Sequence, residues 1–156
     1  MDASLFTPFL TQLRTTAEAN NVVEQIDEIT NMFYKDNQIP ISKLLSDRFP
    51  SDLSSTLEII LKNNNLTEGN PTVLKTFFER LQTAVRSCDV LSLTLAHNPT
   101  QTLLNNLSTY AKQTFGNKTI LEINLDPTLI AGAIVTFQGN YLDASIKRKL
   151  EEYFTK

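Results

Sequence analysis

One cysteine, one histidine and four glycines are all that this chain of 156 residues contains of three chemically versatile residue types. A lone Cys88 forms no intrachain disulfide, which fits a reducing compartment. A lone His97 excludes a zinc site built on a pair of histidines. Gly69, Gly116, Gly132 and Gly139 never fall into a Gly-x-Gly-x-x-Gly or phosphate-loop spacing, so no Gly-rich loop cradles a nucleotide, and no cofactor is expected. Basic charge is also scarce. The net charge is -3 with a pI near 5.1, against the basic face that neutralising nucleic-acid phosphates requires. The one tight basic cluster, Lys147-Arg148-Lys149, reads as a solvated helix face. The longest apolar run, Leu129 to Val135, falls far short of the roughly 20 residues of a membrane span, so the chain is not expected to cross a membrane itself. Its start, Met1-Asp2-Ala3-Ser4, shows neither a basic, then apolar, leader nor an Arg-rich presequence, so that, unless a presequence has been removed, a bacterial or organelle-encoded protein is expected.

The first half is patterned for helices. Phe6, Phe9, Leu10, Leu13 and Ala17 recur at helical spacing, with Pro8 in the first turn, and predict a helix over Thr7 to Ala19. Asn20-Asn21 breaks it. Val22, Val23, Ile26, Ile29 and Phe33 then form a second stripe, with Glu24, Asp27 and Glu28 turned outward, so a helical hairpin is expected. Tyr34 to Pro40 reads as a connection. A short helix from Ser42 to Arg48 carries Leu44, Leu45 and Phe49. Pro50-Ser51-Asp52 starts another, striped by Leu53, Leu57, Ile60 and Leu61. Lys62 to Asn70 is loop-like, and Pro71 opens the longest periodic segment: Leu74, Phe77, Phe78, Leu81, Ala84 and Val85.

At Ser87-Cys88-Asp89 the period changes from helical to alternating, which divides the chain into a helical bundle, 1–88, and a small α/β domain, 89–156. Val90, Leu91, Leu93 and Leu95 predict a strand. A helix from Thr100 to Thr114 follows, with Leu103, Leu104, Leu107, Tyr110 and Ala111 inward, and then a strand from Thr119 to Leu125. From Leu129 to Phe137 both alternating sets are largely apolar, which predicts a third strand covered on both faces. Gln138-Gly139-Asn140 is a turn. Asp143 is placed to cap a last helix bearing Ala144, Ile146, Leu150, Tyr153 and Phe154 on one side, with Lys147–Glu151 and Arg148–Glu152 pairs on the other. The fold class is α+β, a helical bundle followed by β-α-β-β-α, with two helices on one face of the sheet.

Chemistry is thinly signalled. A Cys88–His97 dyad has only proximity in sequence behind it, against a buried cysteine and a loop histidine. Glu24, Asp27 and Glu28 share a helix turn but have no apolar pocket to raise a pKa, so they read as a solvated face. What the sequence does offer is several short amphipathic helices, too short to stand alone, which is the physics of a docking module. Each stripe serves core packing first and one wall of a groove second.

Asp126-Pro127-x-Leu129-Ile130-x-Gly132, an apolar strand, a Gly-containing turn, and Leu142-Asp143-Ala144-Ser145-Ile146-x-x-x-Leu150-Glu151 together resemble the C-terminal signature of the delta subunit of F-type ATP synthases, the oligomycin-sensitivity-conferring protein family. Ala131 stands where that family more often has a second Gly. The resemblance spans 126–154 closely. Leu13, Ala17, Asn21, Val23 and Ile26 extend it to the family's first hairpin, without the usual Tyr-Ala-x-Ala-Leu opening. The resemblance implies a non-catalytic peripheral-stalk subunit, linked to the membrane only through its complex, on the cytoplasmic face of the bacterial inner membrane or, if a presequence was removed, on the equivalent organelle face. Its bundle would grip N-terminal helices of the alpha subunits and its C-terminal part would join the b-subunit stalk. It places the alpha-binding groove at Phe6, Phe9, Leu10 and Leu13 on one side and Leu57, Ile60 and Leu61 on the other. It gives Asp126, Leu129, Ile130, Gly132, Leu142, Asp143, Ile146 and Leu150 the task of building the fold. A free helical adaptor with a borrowed fold, and a small enzyme using Cys88 or His97, are the alternatives from other classes.

Overall fold

The computed structural model describes residues 3–35, 40–66 and 71–148. The chain forms two compact units, one of residues 1–13 and 17–88, the other of 14–16 and 89–156.

In the first unit a 3-10 turn, Ala3–Phe6, runs into α1 (Thr7–Leu10), followed by α2 (Thr16–Lys35), α3 (Ile41–Arg48), α4 (Ser51–Asn63) and α5 (Pro71–Arg86). All six residues of the α5 stripe are buried. Its Phe77 ring meets Phe6 edge-on at 5.4 Å and Phe78 at the same distance, and Phe9 of α1 meets Phe49 at 6.5 Å. These are the offset and edge arrangements that aromatic quadrupoles favour. Gln82 ties α5 to α2, donating to Val23 O and to Asp27 Oδ1. Arg48 of α3 pairs with Glu28.

The expected break at Asn20-Asn21 is not where the chain bends. Hydrogen bonds from Gln12 N to Phe9 O and from Leu13 N to Leu10 O close α1, and α2 runs unbroken through both asparagines. Asn costs a helix interior well under 1 kcal/mol, and the burial of Ala19, Val22, Val23, Ile26 and Ile29 along that helix outweighs it. Ala17, expected inward, is exposed in α2. Tyr34 and Lys35 belong to α2 as well, and the expected loop at Lys62 begins only after α4 ends at Asn63. The rest of that loop, 67–70, the 36–39 connection and the Phe33 side chain lie outside the described residues.

The second unit is a four-stranded sheet in the order β2-β1-β3-β4, built from β1 (Asp89–Leu95), β2 (Thr119–Leu125), β3 (Ala133–Phe137) and β4 (Asn140–Asp143), with α6 (Gln101–Phe115) between β1 and β2. β1 and β2 are parallel, Leu91 opposite Leu121, as a helical crossover requires. β3 lies antiparallel to β1, and β4 to β3. Thr100 caps α6 by accepting from Leu103 N. Leu104, Leu107, Ser108 and Ala111 turn toward Leu91, Leu93 and Leu121, and Phe115 packs on Phe137 with ring centroids 4.5 Å apart.

Four expectations for this unit are corrected. Leu103 and Tyr110 point outward at 46% and 63% exposure, because the inward stripe is centred on Leu104, Ser108 and Ala111, where small side chains let the helix approach the sheet. The third strand starts at Ala133 rather than Leu129, since Pro127–Leu129 is a 3-10 turn. It is half-buried along its length, with Val135 and Phe137 packed toward α6 and Ile134 and Thr136 on the opposite face. A fourth strand stands between the turn and the last helix, where none was expected. The described part of that last helix is 146–148. Leu150, Tyr153, Phe154, the pairs to Glu151 and Glu152 and the second cover for the sheet lie outside the described residues.

Candidate functional site

Asp126 to Ile146 forms one continuous piece of local geometry. The Asp126 carboxylate accepts from Thr128 N at 2.9 Å and from Thr128 Oγ1 at 2.7 Å. These bonds, the hydroxyl's first, hold the acid below its ordinary range. Pro127 opens the 3-10 turn, and Leu129 drops into the core. Ile130 then takes φ 66° and ψ −55°, and Ala131 N donates to Leu129 O at 2.7 Å. That is the γ-turn of positive φ, rare and strained for a β-branched residue. It leaves the Ile130 side chain more than half exposed.

Gly132 follows at φ +89°, with the position a Cβ would occupy 2.4 Å from Ala144 O and 2.9 Å from Ser145 Cα. Only glycine lets these two backbones meet. The junction is sealed by hydrogen bonds from Ala144 N to Ala133 O and from Ile146 N to Ala131 O, both 2.9 Å. Gln138 and Gly139 both have positive φ, the requirement of a two-residue type I′ turn, and join β3 to β4. Asp143 ends β4 and accepts from Ser145 N at 2.8 Å. The Ser145 side chain and amide hold its carboxyl below the ordinary range. The helix cap expected of Asp143 falls to Ser145, whose hydroxyl accepts from Arg148 N. Asp143 orients the capping residue instead.

The signature positions therefore divide. Leu129 is buried; Asp126, Gly132 and Asp143 fix turns; Ile130, Leu142 and Ile146 carry exposed apolar side chains. Leu150 lies outside the described residues. The seven groove candidates are all placed inside the first unit: Phe6, Phe9, Leu10, Leu13, Leu57, Ile60 and Leu61 are each at most 5% exposed. α1 packs on α4 and the first 3-10 turn on α5, so these side chains fill the core beneath that seam. The apolar side chains left in solvent on this unit include Ile59 and Val73, which the sequence did not single out.

Cys88 is buried, its thiol against Ala84 O at 3.8 Å, and His97 is exposed. Glu24, Asp27 and Glu28 are exposed, the last two engaged by Gln82 and Arg48. No group of His, Cys, Asp and Glu suited to a metal ion occurs among the described residues, and none of their helices is long and apolar enough to cross a membrane.

Comparison with known proteins adds what geometry alone does not. Residues 5–155 match the family model described as the ATP synthase delta (OSCP) subunit. The chain belongs to that family. Among curated relatives, the ATP synthase subunit delta of Francisella tularensis subsp. novicida (strain U112) is 26% identical over 116 residues. That of subsp. mediasiatica (strain FSC147) is 27% identical over 118. Each match covers 74% of this chain and 66% of the relative, so the chain spans just under two thirds of the length of those proteins. The resemblance carried by 126–154 thus extends over nearly all of this delta-family chain, both units included.

Proposed function

We propose that this delta-family chain is a non-catalytic stator subunit of an F-type ATP synthase, linking the catalytic head to the b-subunit stalk so that ion-driven rotation is spent on ATP synthesis. The observation that carries this reading is the family match across residues 5–155, supported by a signature segment whose residues make turns and backbone junctions rather than a reactive pocket. The protein is a structural subunit, not an enzyme. It takes no cofactor and no nucleic acid.

In this reading the helical unit receives N-terminal helices of the alpha subunits, and the seven buried residues on and around α1 and α4 set the shape of that seam from within. The sheet unit meets the b stalk. The subunit sits at the cytoplasmic face of the membrane, held there by the complex. The test is a pull-down of the tagged full-length protein from its native membranes, washed at low and at high salt. Recovery of alpha, beta and b subunits is expected. Recovery with unrelated partners would favour the free adaptor instead.

A further inference from the structure

β2 is an outer strand of the sheet, yet part of its open edge is closed from far away in the sequence. Leu121 is fully buried, and its N–H donates to Arg14 O at 2.8 Å. Thr15 stands opposite Leu121 in a parallel bridge. Arg14 also reaches the crossover helix, its Nη1 donating to Asn105 Oδ1 at 2.7 Å and to Gln101 Oε1 at 3.3 Å. A buried backbone donor left unpaired is costly, so without this segment the sheet unit would carry an unsatisfied N–H at Leu121.

We propose that Arg14–Thr16 is a clasp: a segment of the N-terminal chain that completes the sheet unit and turns one covalent passage between the two units into three. The chain enters the sheet unit after Leu13, leaves after Thr16 and returns after Cys88. With the clasp seated, the α1–α2 junction is anchored to the sheet unit without help from the Cys88–Asp89 link. The same seating keeps α1 and α2 from joining into one helix: after Thr11 to Leu13 close α1, Arg14 and Thr15 are drawn out as edge backbone.

The test uses the full-length chain and does not depend on the stator reading. A specific protease site is placed between Cys88 and Asp89 and cut after folding, and the fragments are run on a sizing column without denaturant. The cut wild-type fragments are expected to travel together, and the cut Arg14→Ala fragments to separate at concentrations about tenfold higher, since two side-chain hydrogen bonds at roughly 0.5–1 kcal/mol each are lost. In the uncut chain, exchange of the Leu121 amide is expected to quicken by about the same factor in Arg14→Ala, with the Leu93 amide on the inner strand unchanged. Wild-type fragments that separate on cutting overturn the clasp. So does an Arg14→Ala protein whose Leu121 amide exchanges at the wild-type rate.

Discussion

Replacing Gly132 by alanine measures how much of the sheet unit's stability rests on one backbone junction. The added Cβ would lie 2.4 Å from Ala144 O, well inside van der Waals contact, so the 144–145 segment has to retreat by more than about half an ångström. That retreat pulls on the two 2.9 Å hydrogen bonds flanking the junction, Ala144 N to Ala133 O and Ile146 N to Ala131 O, at about 1 kcal/mol each. Holding a non-glycine residue at φ +89° costs about 1 kcal/mol more. The expected loss is about 3 kcal/mol, or a fall of roughly 12–24 °C in the melting of a unit this small. Gly139 supplies the control. Its φ is +82°, but nothing lies within 4 Å of its missing Cβ, so Gly139→Ala bears the strain alone, about 1 kcal/mol. Calorimetry and urea titration of the two variants separate the close approach from the conformational penalty. Equal losses in both would falsify the reasoning, because the contact with Ala144 would then count for nothing.

The carboxyls of Asp126 and Asp143 are held low by the bonds from Thr128 and Ser145. Their contribution is full above 3.8, the ordinary carboxyl value, and is lost as pH falls through the lowered folded values. Asp126→Asn and Asp143→Asn should flatten the acid limb of an unfolding-versus-pH curve, and an unchanged slope counts against the assignment. Ile130→Gly relieves a γ-turn that suits glycine, and the gain, set against the added freedom of the unfolded chain, should be under about 1 kcal/mol; a clear loss on urea titration means that the exposed side chain packs against something. Leu57→Ala, at a fully buried site, should cost about 2–5 kcal/mol. A cost below about 1 kcal/mol would show that this residue borders open space after all. Leu142→Ser and Ile146→Ser, both exposed, should leave melting within about 0.5 kcal/mol while weakening recovery of the b subunit in the pull-down; unaltered recovery would move the stalk contact elsewhere.

What could be read from the sequence follows from what a period encodes. The α5 stripe matches the structure because its burial repeats at helical spacing, and β2 keeps its expected bounds although its burial does not alternate, with Thr119, Ile120 and Leu121 all buried and Glu122, Asn124 and Leu125 exposed. The start of β3 was hidden because Leu129 and Ile130 are apolar, and an apolar run looks like strand whether or not it turns. Nothing in an isoleucine announces φ 66°. Asn20-Asn21 carries a turn-like composition but stays helical, whereas the break between α1 and α2 spans Thr11 to Thr15, and two of its residues, Arg14 and Thr15, pair with Leu121, more than a hundred positions away. β4 is four residues long, too short for alternation to show, although Gln138-Gly139 beside an apolar strand is a hairpin signal. The groove candidates show the limit most plainly. The resemblance assigns a groove to seven residues of two helical stripes, all of them buried, and helical spacing is the same for a stripe facing the core and one facing a partner.

The signature thus contains two kinds of residue that a pattern of letters does not distinguish. Asp126, Gly132 and Asp143 act on backbone: an acid that holds a 3-10 turn, a glycine that admits a crossing segment, an acid that orients a capping serine. None requires a neighbour outside the unit. Ile130, Leu142 and Ile146 do the opposite, since their apolar side chains stand in water at 55%, 60% and 41% exposure and add nothing to a core. Exposed apolar side chains on a structural subunit become favourable only when something covers them. The sheet is also pinned at two separate places, the glycine junction that continues the β3–β4 pairing and the N-terminal segment that pairs with Leu121 on β2. In the proposed stator role, the backbone residues would supply the stiffness and the exposed ones the grip.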